Sequence, residues 1–191
     1  MPTDENGVEL EAWPPYSLLS RHQIYDCPWV GLRRDMVKLD NGAAQELHVV
    51  EITDSIAVVP EMADGRIAML WQFRHAHGKT HWEIPAGRID PGEEPAEAAL
   101  RELHEEAGCK TTNLAPMGGF YPTNGISKHY AHFFTAHDCV LEGEPQPDAA
   151  ERIQIVLRDR EVVRRELEAG AYEDGFTALA LFYYFARTAG R

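Results

Sequence analysis

The chain has 191 residues, enough for one domain with an added subdomain. Hydrophobic residues make up 44% and charged residues 26%, the balance of a soluble globular protein, and no apolar run reaches the length of a membrane span. A formal charge of −13 without a Lys/Arg cluster excludes a duplex nucleic-acid reader, and an anionic substrate needs a bridging cation to approach such a chain.

Residues 1–15 are polar, carry three prolines and read as a loose arm. MPTDENGVELEAWPPY has no apolar stretch of the kind a secretion signal carries. Cys27, Cys109 and Cys139 are odd in number and lack CxxC spacing, so neither a disulfide framework nor a zinc site is expected. A reducing cytoplasm is the expected setting. Between 16 and 52, SLLSRHQIYD, WVGLRRDMVKL and QELHVVEI read as strands, with a hairpin at Asn41-Gly42. SIAVVPEM and RIAMLWQFR are core strands joined at Ala63-Asp64-Gly65, and HWEIPAG is a short strand running into a glycine loop. The spacing predicts a helix over 95–107, in which Ala96, Ala99, Leu100, Leu103 and Ala107 form a narrow apolar stripe. Pro95 suits its first position and Gly108 the position past its end. NLAPMGGFYP and HYAHFFTAHDCV read as strands, EGEPQPDAAE as a polar loop, and ERIQIVLRD as another strand. REVVRRELEAG and EDGFTALALFYYFARTAG are the closing helices. The order predicts an α+β fold with helices packed on a mixed sheet, and there is no internal repeat.

In the helix over 95–107, with Leu103 at zero, Glu106 falls at about −60°, Glu102 at about −100° and Glu105 at about −160°. Arg101 lies four residues before Glu105, in ion-pair range. A solvated acidic face is the ordinary explanation of such a cluster. Here the acids sit in the last turns, where the helix dipole disfavours negative charge, and a glycine loop precedes the same helix. Converging carboxylate oxygens suit a hard cation, which points to Mg²⁺ or Mn²⁺ at Glu102, Glu105 and Glu106.

The segment GRIDPGEEPAEAALRELHEEAGC resembles the signature of the Nudix hydrolases, G-x5-E-x7-R-E-U-x-E-E-x-G-U, where U is aliphatic. It matches at Gly87, Glu93, Arg101, Glu102, Leu103, Glu105, Glu106 and Gly108, and Cys109 stands where the family has Ile, Leu or Val. The resemblance implies an α/β/α sandwich around a mixed sheet and hydrolysis of a nucleoside diphosphate linked to another group. It implies one to three ions, with Glu102 and Glu106 as ligands, Glu105 as a further ligand or base, and the Ala86 carbonyl joining the shell. Arg101 then orients the glutamates, Glu93 braces the loop, and Gly87 and Gly108 allow its turns.

HWEIPAGRID and LWQFRHAHG are similar to the wording of ADP-ribose and nucleotide-sugar pyrophosphatases within that family. By this resemblance Arg74 contacts a phosphate, and Glu83 holds either Arg74 or a ribose. The same subgroup implies an N-terminal β-subdomain over 1–55 that builds a homodimer, ahead of the hydrolase domain over 56–191. Trp29 is the candidate for stacking on the base, with a core or interface Trp as the plain alternative. Arg33 and Arg34 face opposite ways, so at most one reaches substrate, and Arg88 is placed to line the pocket. Where relatives carry a Glu after the Pro122 loop, this chain reads Ser127-Lys128-His129. Lys128 is then a phosphate contact, and His129 is either an exposed loop residue or, beside Glu105, a candidate general base. His75, His77 and His81 read as a secondary metal site or as exposed loop histidines. The expected reaction is metal-dependent cleavage of ADP-ribose or a related nucleoside diphosphate sugar to a nucleoside monophosphate and a sugar phosphate. The expected partner is that small nucleotide, with no nucleic acid or membrane. The alternatives are a nucleoside triphosphate or capped-RNA pyrophosphohydrolase and a non-catalytic nucleotide-sugar sensor.

Overall fold

The strand-forming runs of the first fifty residues assemble as an antiparallel meander in a computed structural model, which describes residues 2–143, 145–146 and 151–188. Strands β1 (Ser17–Asp26), β2 (Gly31–Lys38) and β3 (Ala44–Glu51) form a three-stranded sheet in that order. Gly42, at φ 84°, turns the β2–β3 hairpin. Polar side chains tie this sheet together. Arg21 clasps Asp35 at 2.8 and 3.0 Å, and Arg33 bridges Asp35 and Glu51. Every residue of β1 is exposed. The chain divides into two compact units, Met1–Ile52 and Thr53–Arg191.

The second unit is built on a mixed sheet. Its strands are β4 (Ser55–Met62), β5 (Ile67–Arg74), β6 (Lys79–Glu83), β7 (Ala86–Arg88), β8 (Cys109–Lys110), β9 (Asn113–Phe120), β10 (Ala131–Leu141) and β11 (Ile153–Arg158). The main path is β11-β5-β4-β10-β8, with β6 on β5, β7 on β4 and β9 on β10. Among the described residues only the β4–β10 pair is parallel. Helix α1 (Pro95–Ala107) covers one face, and α2 (Arg160–Glu168) and α3 (Gly175–Thr188) cover the other.

β4 shows why its sequence lacks alternation. Ile56 and Val58 pack with Ala99 and Leu103 of α1, while Ala57 and Val59 pack with Val163, Leu181 and Tyr184 of the opposite layer. A strand buried on both faces reads as a continuous apolar run. The α+β fold and the α/β/α layering expected from the sequence are present, with the antiparallel sheet ahead of them.

Helix α1 spans the predicted residues. Pro95 opens it, Glu94 and Glu97 close a reciprocal capping box, and Gly108 ends it in the left-handed region at φ 59°. The buried stripe is rotated from the predicted one. Ala98, Ala99, Leu103, Glu106 and Ala107 are buried, whereas Ala96 and Leu100 are exposed. The helix turns its acidic flank inward toward β7, so a carboxylate takes a position that apolar spacing gave to alanine and leucine.

Candidate active site

The site begins with the close approach of β7 to α1. A Cβ on Gly87 would lie 1.8 Å from Glu102 Oε1, so only glycine lets this carboxylate pack over the strand. One residue earlier, the Ala86 N–H donates to Glu106 Oε2 at 2.8 Å. Glu106 is 2% exposed, and burial pushes its carboxyl up to about 8 despite that hydrogen bond. The neighbouring charges of Glu102 and Glu151 raise it further, and Arg74 acts against them. Burial also raises Glu102, and the adjacent Arg101 opposes the shift.

Arg101 is the hub. Its Nε and Nη2 donate to the two oxygens of Glu93 at 2.9 and 3.0 Å. Nη1 donates to Glu102 Oε1 at 2.8 Å and Glu105 Oε2 at 3.1 Å, and Nη2 also reaches the Arg88 carbonyl at 2.9 Å. The Asp90 N–H donates to Glu93 Oε2 at 3.0 Å, which fixes the loop to the same hub. One planar guanidinium thus joins loop, strand and helix. The carboxylates it holds are turned toward it. Among the described residues no group of three His, Cys, Asp or Glu side chains stands ready to hold a metal ion. The convergence expected for Glu102, Glu105 and Glu106 is therefore not preassembled, because Glu102 turns its Oε1 and Glu105 its Oε2 to Arg101. The donor set still fits a hard divalent cation, since Glu106 is a buried carboxylate whose ionisation is opposed by its surroundings. Each of Glu102 and Glu105 keeps a second oxygen that Arg101 does not hold. The same finding leaves His75, His77 and His81 without a metal-holding group.

β5 and β6 supply the adjoining wall. Arg74 Nε and Nη2 meet Glu83 Oε1 and Oε2 at 2.8 and 2.6 Å. Of the two readings of Glu83, the structure supports holding Arg74. The Arg74 side chain is 40% exposed, Glu83 is buried, and the charge of Glu106 acts on Arg74. A carboxylate that sequence reasoning missed belongs here. Glu151 precedes Ile153 by two residues, and Ile153, Ile155 and Leu157 pack on the α1 side of the sheet. The Phe73 N–H bonds the Arg152 carbonyl at 3.0 Å, which carries the β5–β11 ladder past its last strand residue. Strand parity thus directs Glu151 to the α1 side, and its charge raises both Glu102 and Glu106. Glu151 stands where the polar loop EGEPQPDAAE meets the strand ERIQIVLRD, and the parity of that strand was the available signal. Residues 144 and 147–150 of that loop lie outside the described ones.

Other expected residues stand differently. His129 is not an exposed loop residue. It is 8% exposed, its Nε2 lies 2.8 Å from Ser55 Oγ, and its ring stacks on Phe176. Burial lowers its pKa. Lys128 is exposed beside it, and Arg88 is half-buried on β7. In the first unit, the Arg33 guanidinium is engaged by Asp35 and Glu51, so ion pairs within the sheet hold one of the two arginines of which at most one was expected to reach substrate. Trp29 lies in the β1–β2 connection and is 67% exposed, which rules out a core tryptophan.

With a glycine-bounded loop–helix, an arginine hub and inward glutamates, the chain belongs to the Nudix family, whose domain model matches residues 52–174. It is a Nudix hydrolase, an enzyme of a family that generally requires a divalent metal. The chain is 32% identical over 166 residues to an ADP-ribose pyrophosphatase of Bacillus subtilis, covering 86% of this chain and 90% of that protein. It is 30% identical over 132 residues to an ADP-ribose pyrophosphatase of Mycobacterium tuberculosis, covering 69% and 64%. A solved structure titled as an ADP compounds hydrolase superposes with a TM-score of 0.80 at 19% identity, covering 95% of this chain and all of that one. Within the family the chain falls in the ADP-ribose pyrophosphatase subgroup. No helix among the described residues is long and apolar enough to cross a membrane.

Proposed function

We propose that this enzyme hydrolyses the diphosphate bond of ADP-ribose or a closely related nucleoside diphosphate sugar, releasing a nucleoside monophosphate and a sugar phosphate. The observation that carries the reading is the Arg101 hub, which holds Glu93, Glu102 and Glu105 beside the buried Glu106. Glu102, Glu105, Glu106 and the Ala86 carbonyl are the groups that hold Mg²⁺ or Mn²⁺. A divalent ion bound there neutralises diphosphate charge and lowers the pKa of a bound water.

The Arg74 guanidinium, fixed on Glu83, takes a diphosphate oxygen and orients the bridging bond. Lys128 and Arg88 are further cationic contacts. A carboxylate accepts the proton of the attacking water. Water oxygen bonds one phosphorus, and the bridging oxygen leaves on the other phosphate. His129 is less suited to the proton transfer, because its Nε2 is taken up with the Ser55 hydroxyl. Glu105 is 43% exposed at its side chain and remains a candidate, and Glu151 joins it as a second.

In the first unit the exposed indole of Trp29 offers a face for the adenine base. The apolar Leu18, Leu19 and Ile24 on β1 are uncovered, which supports self-association as a homodimer. The cytoplasm suits three unbridged cysteines. The test is a product panel with ADP-ribose, GDP-mannose, ADP-glucose, deoxynucleoside triphosphates and NADH in Mg²⁺. AMP with ribose 5-phosphate as the main products supports the assignment. Turnover of triphosphates alone overturns it, and binding without turnover makes the protein a sensor.

A further inference from the structure

Strands β5 and β6 bring several buried polar atoms side by side. Gln72 and His81 are cross-strand partners. Gln72 is 1% exposed, and its Oε1 has no hydrogen-bond partner. Both ring nitrogens of His81 are buried and likewise make no hydrogen bond. Buried polar atoms are rarely left unmatched, so a group of three beside an active site calls for a function. His81 and Glu83 lie two residues apart on β6 and share a face of the strand. His81 Nε2 stands 3.3 Å from Glu83 Oε1, in close contact with the carboxylate but off the line of a hydrogen bond. The His77 ring closes on the His81 ring edge-on at 5.9 Å. The order Gln72, His81, Glu83, Arg74 therefore runs from the sheet interior to a half-exposed guanidinium.

We propose that His81 is a positioning residue for the reaction, its imidazole steadying the Glu83 carboxylate and, through it, the plane of the Arg74 guanidinium. The proposal rests on the reading of Arg74 as the diphosphate contact. A carboxylate held from one side swings with its guanidinium. A ring packed 3.3 Å from Oε1 narrows that swing, so Arg74 loses less freedom when the diphosphate arrives. Leucine at position 81 fills similar space with no nitrogen, and glutamine restores one amide donor.

The experiment compares wild type, His81→Leu, His81→Gln, Arg74→Ala and the double variant Arg74→Ala/His81→Leu, using ADP-ribose in Mg²⁺. In parallel, solvent exchange of the ¹⁵N-labelled Arg74 Nε–H is followed by NMR without substrate. His81→Leu is expected to raise KM about tenfold with kcat within about threefold. His81→Gln recovers most of that loss. In the Arg74→Ala background the leucine adds less than about twofold, because the side chain it acts through is gone. Arg74 Nε–H exchange is slow in wild type and His81→Gln, and about tenfold faster in His81→Leu. An unchanged KM together with unchanged exchange overturns the proposal. So does an equal loss in the leucine and glutamine variants, or a full-sized leucine effect without Arg74. Accelerated exchange with unchanged KM overturns the positioning role in the reaction, and an unchanged KM in Arg74→Ala removes Arg74 as the diphosphate contact. Thermal midpoints matching wild type show that the variants are folded.

Discussion

Glu106→Gln separates stability from catalysis in one substitution. Glu106 is buried and its carboxyl is pushed up to about 8, against 4.5 for the free side chain. Between these values the folded chain binds a proton that the unfolded chain has released, so its contribution to stability falls as pH rises through that window. At 1.36 kcal/mol per unit the loss is roughly 3 kcal/mol at pH 7 and roughly 5 kcal/mol at pH 8 and above. Glutamine imitates the protonated acid: it is neutral, of like size, and its carbonyl can accept the Ala86 N–H. Its added NH₂ group costs about 1 kcal/mol if left unmatched. In chelator, the variant is therefore expected to match wild type near pH 5 and to exceed it by several kcal/mol near pH 8. Relief of repulsion with Glu102 and Glu151 is part of that figure, since both charges contribute to the shift. Urea denaturation at fixed pH values from 5 to 9 measures the difference directly, and shifts from groups common to both proteins cancel. Adding Mg²⁺ at pH 8 is expected to restore wild type but not the variant, and the variant's kcat is expected to fall by orders of magnitude. Parallel stability curves, or a variant weaker than wild type at pH 8 in chelator, refute the reasoning.

Gly87→Ala puts a methyl group where Glu102 Oε1 stands; because that atom ends a flexible side chain, Mg²⁺ affinity by calorimetry is expected to drop more than about tenfold while stability changes by under about 1 kcal/mol. Arg101→Lys keeps the charge but cannot grip both Glu93 oxygens and still reach Glu102, so urea denaturation is expected to show a loss of about 1–2 kcal/mol, with kcat reduced. Gly108→Ala forces a side chain into the left-handed region with its Cβ 3.0 Å from the Gly143 carbonyl, and the thermal midpoint is expected to fall by the equivalent of about 1–2 kcal/mol. Glu151→Gln removes a charge that raises Glu106, so the acid limb of the kcat–pH profile is expected to move to lower pH. If the proton-transfer role belongs to Glu151 rather than Glu105, kcat is also expected to fall about a hundredfold.

Local features were legible because they depend on neighbours in sequence. Pro95 and Gly108 bracket α1 where they were expected to, and Gly42 and Gly65 turn their hairpins at positive φ. The site's hub was legible as spacing, since Glu93, Arg101 and Glu105 meet across one loop and two helical turns. What sequence could not give was set by distant partners. His129 turns inward because Ser55, 74 residues earlier, offers it a hydroxyl. Arg33 is claimed by Glu51 on the neighbouring strand and by Asp35 beside it. The rotation of α1 follows from Glu106 reaching the Ala86 N–H, a demand that apolar periodicity does not register. Glu151, where the polar loop meets the strand ERIQIVLRD, owes its place to strand parity and not to motif spacing.

The parallel pairing of β4 with β10 has a consequence for how the molecule is made. Ser55 faces Ala131, and the Glu61–His137 contact spans the same 76 residues. Closing a span of that length costs about 4 kcal/mol of chain entropy. Everything from β5 through α1 and β9 lies inside it. A growing chain therefore carries the complete signature long before its central strand gains this neighbour. Catalytic competence arrives late in synthesis, so truncated products are expected to be protease-sensitive and inactive rather than fragments that retain activity.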